Sequence, residues 1–326
     1  MNTPNQIENE KRLVLYTPGH HLVTDSLIMH GIVRYLMWAD VNVESVKIRR
    51  LGDRFAIEIG NPNSIKEDKA KQVLLSIQDQ AIKGIFSMDY PYLTRFFEKI
   101  SAANLNRPAF REWVGQFSQA ITKFYFESVR AYEDRNHKEE SAEGYGRAGY
   151  PTLYLSLGPL NDCSVIEQVL HKDCYDVRHK GSTYKVCYTC FLFANLGLVY
   201  GTGVVRIQKY YKDIRDACAA SVMYTLIPAN ETEMAMMDVA LVQRMLENNY
   251  EVYDLEEVDT ALVTSIIEKL SNALADAMHT FRMNALVYAL TWNPKNDPTY
   301  KVTTISEFDK PDPSLILKNL YLTYTP

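Results

Sequence analysis

An excess of positive charge is missing from this chain of 326 residues: 35 Lys and Arg stand against 40 Asp and Glu, a net charge of −5. That balance argues against a free-standing, tight, sequence-blind binder of nucleic acid, whose surface is markedly basic. Cysteine is scarce as well. Five cysteines, an odd number, in a chain whose first ten residues are mostly polar and form no apolar signal segment argue against a disulfide framework. The same opening predicts an intracellular, cytoplasmic protein. Long hydrophobic runs are absent save Val186 to Val205, and that stretch holds Asn195, Gly197, Gly201 and Gly203, so it reads as a buried core helix and no membrane partner is expected. There is no Walker A loop, no HExxH and no GxSxG, and no convergent acid, base and nucleophile, so no enzyme is expected. Internal repeats and low-complexity tracts are also missing.

What is present is an ordinary globular composition, 47% hydrophobic and 23% charged, with 22 tyrosines. The charge is unevenly distributed. Residues 1–219 carry 28 basic against 25 acidic side chains and residues 220–326 carry 7 against 15, so a nucleic-acid face belongs in the first two thirds and the acidic C-terminal third is a protein-contacting or solvated part.

Periodicity predicts an α+β protein. Residues 11–16 read as a strand ended by Thr17-Pro18-Gly19, and 20–38 show a helical period. Residues 43–50 and 55–59 alternate around Leu51-Gly52-Asp53 as a hairpin. This strand-helix-hairpin module is followed by a mainly helical region: helices over 66–80 with Ser64 as cap, 91–103, 108–132, 206–226, a methionine-rich 230–248, and 259–290. The last 28 residues read as a strand or extended tail with a short helix. A charged, glycine-rich stretch at 133–149 separates an N-terminal α+β domain, 1–140, from a domain at 150–326 that holds a cysteine-rich segment, 163–218.

The chemistry-bearing residues cluster at 171–215. His171 and Cys174, and Cys187 and Cys190, are two pairs with two residues between their members, a spacing that lets knuckle turns converge four ligands on one tetrahedral zinc ion of structural type. A buried structural cysteine pair and a redox CxxC are the other readings. The zinc deaminase pattern fails, because no proline precedes Cys187 and no HxE contains His171. His20, His21 and His30 make only a poor metal cluster, since His20 and His21 are adjacent and point apart and His30 has no carboxylate partner at a helical offset, so a structural role at the helix entry is the preferred reading. Downstream, Lys209 and Lys212 fall together at helical spacing with Tyr210 between them, and on the hairpin Lys47, Arg49 and Arg50 form a basic segment. These are candidates for a surface facing nucleic acid, against the alternative of solvated faces. Gly144-Tyr-Gly-Arg-Ala-Gly149 spells GxGxxG without the strand before it or the helix after it, so Tyr145 and Arg147 are candidates for groove contact rather than dinucleotide binding, with a solvated loop as the alternative.

Three segments together resemble a known family. The strand ending in Thr17-Pro18-Gly19-His20, the run from Gly146 to Pro151 before Leu153 to Gly158, and Cys187-x-x-Cys190 entering an apolar helix with Asn195-Leu-Gly197 are similar to the large subunit of the archaeal type I-A CRISPR Cascade surveillance complex, over about residues 11–226. The resemblance implies a non-catalytic subunit in antiviral defence that recognises the protospacer-adjacent motif and helps open target DNA. Its partners would be other Cascade subunits, guide RNA, double-stranded target DNA and a separately recruited helicase-nuclease effector. A metal-dependent nucleic-acid enzyme and a protein-only scaffold are the alternatives.

Overall fold

The computed structural model describes residues 12–20, 22–83, 107–134, 137, 186–209, 218–247, 250–253, 282–293 and 296–309. Strand β1 (Leu13–Tyr16) turns Leu13 and Leu15 inward and pairs antiparallel with β3 (Arg54–Ile59), Leu13 opposite Ile59. Strand β2 (Val46–Leu51) alternates strictly, burying Val46 and Ile48 and exposing Lys47, Arg49 and Leu51, as the period of two requires. The β2–β3 hairpin turns at Gly52, whose φ of 64° lies in the left-handed region that favours glycine.

The Thr17-Pro18-Gly19 segment shapes the passage from β1 into helix α1 (Leu22–Trp38). Thr17 exchanges bonds with Phe55, its N donating to the Phe55 O and its Oγ1 accepting from the Phe55 N, both at 2.9 Å. Gly19, at φ 81°, donates its N–H to the buried Asp25 carboxylate in the first turn of α1. The strand-helix-hairpin module is therefore formed as the periodicity predicts, and the protein is α+β.

A mainly helical region follows. Helix α2 (Glu67–Lys83) buries Ala70, Leu74, Ile77 and Ala81 and packs on α3 (Arg107–Tyr125), which turns Phe117, Ala120, Ile121 and Phe124 inward. Ser64 does not cap α2. Its hydroxyl donates to the Asn61 carbonyl within a 3-10 turn, Pro62–Ser64. A short helix, α4 (Ala131–Asp134), leads out of this region.

Helix α5 (Tyr188–Tyr200) is buried from Thr189 to Tyr200, the core helix expected of the uncharged run. Among the described residues no helix is long and apolar enough to cross a membrane. It lies against α1 at backbone contact. A Cβ on Gly197 would stand 1.8 Å from the Leu27 O, and one on Gly31 would stand 2.0 Å from the Phe193 O. Tyr35, Phe124 and Phe193 meet edge to face around this crossing, with centroids 5.1–5.9 Å apart.

Two helix expectations are overturned. Residues 206–226 are not a helix: β4 (Thr202–Lys209) and β5 (Cys218–Pro228) pair antiparallel, Thr202 opposite Thr225 and Lys209 opposite Cys218. Apolar residues at Ile207, Ile214 and Val222 happen to sample a helical period, but the local run of Val204, Val205 and Ile207, and of Val222, Tyr224, Thr225 and Ile227, is β-branched and aromatic and suits a pleated surface. The helix expected over 259–290 likewise fails at its end, where β8 (Arg282–Asn293) forms a hairpin with β9 (Asn296–Asp309). Strands order as β1-β3-β2-β6 in one sheet, with β6 at Glu233–Ala235, and as β7-β4-β5-β8-β9 in the other, with β7 at Tyr250–Tyr253 parallel to β4. Between β6 and β7 runs α6 (Met236–Glu247), the methionine-rich helix, with Met236, Val239, Val242 and Leu246 buried. The stretch expected as a loop over 133–149 begins inside α4, at Glu133 and Asp134, and its part from 138 on, the helix expected at 91–103 and the strand expected at 153–157 lie outside the described residues.

Candidate metal centre and nucleic-acid interface

Cys187 is the N-cap of α5, in extended backbone conformation, and its Sγ accepts the Cys190 N–H at 3.4 Å. The first turn of the helix brings Cys190 round to the same side, so the two-residue spacing converges both sulfurs, as expected of these two residues. The third member comes from elsewhere. His137, just beyond α4, places Nδ1 3.2 Å from the Cys187 Sγ. The ligand atoms of His137, Cys187 and Cys190 all lie within 4.8 Å of one another, and all three residues are buried. In a tetrahedral zinc site with bonds of about 2.3 Å to sulfur and 2.0–2.1 Å to nitrogen, an S and an N ligand sit about 3.6 Å apart, so the spacing fits. Two soft thiolates and an imidazole are donors that zinc prefers, and a closed structural site takes a fourth ligand besides them. The trio forms a plausible structural metal-binding site.

The electrostatics suit that role. Hydrogen bonds from Cys190 and His137 hold the Cys187 thiol down to about 5, against the opposing effect of burial. Burial and the neighbouring Cys187 push the Cys190 thiol up. The lowered Cys187 thiol suits a ligand that binds metal as thiolate, and the Cys190 thiol would give up its proton on binding a cation.

Of the four expected ligands, Cys187 and Cys190 come together, while His171 and Cys174 lie outside the described residues. His137 escaped sequence reasoning because it sits in a charged stretch with no spacing relation to either cysteine. His30 is not a metal ligand: its Nε2 bonds the Leu226 O at 2.9 Å and its Nδ1 faces the Gln243 amide at 3.3 Å, so both ring nitrogens are engaged in the core. His20 is buried and His21 lies outside the described residues.

The basic candidates separate in the same way. Lys47 and Arg49 share the exposed face of β2, with Lys47 bound to Glu233 at 2.7 Å, a pair about half exposed on each side. No carboxylate pairs with Arg49 among the described residues. Arg50 is corrected: strict alternation turns it inward, where it is buried and donates Nε–H to the Gly52 O at 2.9 Å. Lys209 ends β4 rather than lying on a helix, so the helical spacing that joined it to Lys212 does not apply. Tyr145, Arg147, Tyr210 and Lys212 lie outside the described residues.

With this geometry in place the comparison with known proteins is decisive. The family model for CRISPR-associated protein (Cas_Csa4) matches residues 13–312. The chain belongs to the CRISPR-associated Csa4 family. A curated relative, the CRISPR system associated protein Cas8 of Thermoproteus tenax, is 29% identical over 205 residues, 60% of this chain and 53% of that protein. The chain thus spans about half the length of the curated relative it matches. No solved structure matches it. The Csa4 family match covers both sheets, α5 with its cysteines and the exposed face of β2.

Proposed function

We propose that this chain is the large subunit of a type I-A Cascade surveillance complex, a non-catalytic protein that recognises the protospacer-adjacent motif and helps open target DNA. Its partners would be the other Cascade subunits, the guide RNA, the target duplex and a helicase-nuclease effector recruited separately. The observation that carries this reading is the family match over residues 13–312. The division of labour is physically sensible, because base pairing reads the long target while protein side chains read a few base edges and neutralise phosphates. The net charge of −5 suits a subunit that shares its DNA with basic neighbours.

Lys47, Arg49 and Lys209, with Tyr210, Lys212, Tyr145 and Arg147, form the proposed nucleic-acid surface. Exposure of Lys47 and Arg49 on one strand face supports it. The metal centre has a structural part in this reading: Cys187 and Cys190 are 6% and 0% exposed and His137 is 3% exposed, which argues against substrate reaching the ion. The test is a salt titration of DNA binding by the assembled complex, since each phosphate contact adds about 0.9 to the slope of log K against log salt. Replacing Lys47, Arg49, Lys209 and Lys212 by alanine is expected to weaken binding and to flatten that slope by up to about 4. An unchanged slope contradicts the interface, and failure of guide RNA to co-purify with a tagged chain contradicts the complex.

A further inference from the structure

The ligand trio spans two distant segments, with Cys187 and Cys190 at the start of α5 and His137 beyond α4. Tyr132 in α4 packs on the His137 ring. The Tyr132 ring lies flat on the His137 imidazole, with centroids 4.1 Å apart at 24° between planes. Its other contact is edge-on to Phe193 of α5, at 5.6 Å and 85°. The Tyr132 hydroxyl is 3.3 Å from the Cys190 Sγ. Phe193 and Cys190 are three residues apart and so share one face of α5. One buried side chain, 3% exposed, therefore touches a ligand from each of the two segments.

The backbone beneath it is held as firmly. The Glu67 carboxylate accepts from the Ser128 hydroxyl at 2.5 Å and from the Val129 N at 3.2 Å, and the Tyr132 N donates to the Val129 O at 3.1 Å. Thr189 in the first turn of α5 donates to the Glu127 carboxylate at 3.0 Å. Tyr132 is thus placed before any metal arrives.

We propose that Tyr132 is the positioning residue of the metal centre, stacking on His137 to fix its ring and donating its hydroxyl proton to the Cys190 sulfur once that sulfur binds the cation. This rests on the metal reading of the trio and is independent of the Cascade role. A metal-bound thiolate can only accept, so the hydroxyl must donate in the loaded state. Such a bond draws electron density from sulfur and holds the ligand in place, and losing an outer partner of this kind weakens metal affinity by about 10–100-fold.

The experiment compares the full-length protein with Tyr132→Phe, which keeps the ring and the stack but removes the donor. Zinc affinity is measured by competition with a chelating dye, and bound Co2+ reports the thiolate bonds through its charge-transfer band. The expected result is an affinity at least about tenfold weaker and a band moved to longer wavelength. Incorporation of 3-fluorotyrosine at 132 keeps the shape and makes the hydroxyl a stronger donor, so the band should move to shorter wavelength even should Tyr132→Phe fail to fold. Unchanged affinity and an unmoved band in both variants overturn the inference. So does a variant whose thermal stability falls while its affinity and band stay as in the wild type, because that is a packing role alone. Wild-type protein that takes up neither Zn2+ nor Co2+ sinks the metal reading and this inference with it, leaving the proposed place in Cascade untouched.

Discussion

Cys187 combines two tasks, capping α5 through its sulfur and contributing to the metal trio, so its replacement has two separable effects. Cys187→Ser keeps a capping oxygen, since serine is among the preferred N-cap residues, but removes the soft ligand. The variant is expected to lose the metal. With free zinc a few hundred-fold above its dissociation constant, that loss lowers stability by about 3–4 kcal/mol. Denaturant titrations with and without chelator check this: chelator should bring the wild type down to the level of Cys187→Ser, and a wild type indifferent to chelator contradicts it. The cysteine pair was legible in the sequence because its members are local and their spacing alone converges them. His137 was not, because fifty residues separate it from Cys187 and tertiary packing, such as Tyr132 against α5, brings them together. Arg50 shows the same limit from the other side. Three basic residues in four positions read as one patch until the pleat assigns them to opposite faces.

At the scale of elements, the α1–α5 crossing is the contact on which the core depends. Gly197→Ala puts a Cβ 1.8 Å from the Leu27 carbonyl oxygen, a backbone atom that cannot swing away. The helices must separate, and the loss is expected to be about 3 kcal/mol or more, at the upper end of overpacking costs. Gly115→Ala in α3 is the control, for its Cβ meets nothing within 4 Å, and helix propensity predicts a gain of about 1 kcal/mol. Chemical denaturation of the two variants side by side tests both signs, and equal effects would contradict the close approach. Helix α1, the β2–β3 hairpin, α2 and α3 were readable because each carries one unbroken period over its whole length. Strands β4, β5 and β8 were not, since their apolar residues recur at spacings a helix also allows and their identity is decided by partners far along the chain, Thr225 for Thr202 and Ala285 for Leu226.

For the whole molecule, the central issue is how a chain with a net charge of −5 would fill the proposed role on DNA. The first sheet presents Lys47 and Arg49 outward, but Glu233 of the acidic segment 220–326 stands on the neighbouring strand β6 and holds Lys47. That pairing, with the net negative charge, predicts weak DNA binding by the isolated chain and steep salt dependence only in the assembly. The most direct measurement is strand opening of a target duplex by a reconstituted complex, followed with a fluorescent base in the displaced strand, with and without this chain and with the flanking motif intact or altered. The account predicts that opening requires both the chain and the intact motif. Equal opening in the chain's absence, or opening indifferent to the motif in its presence, would contradict it.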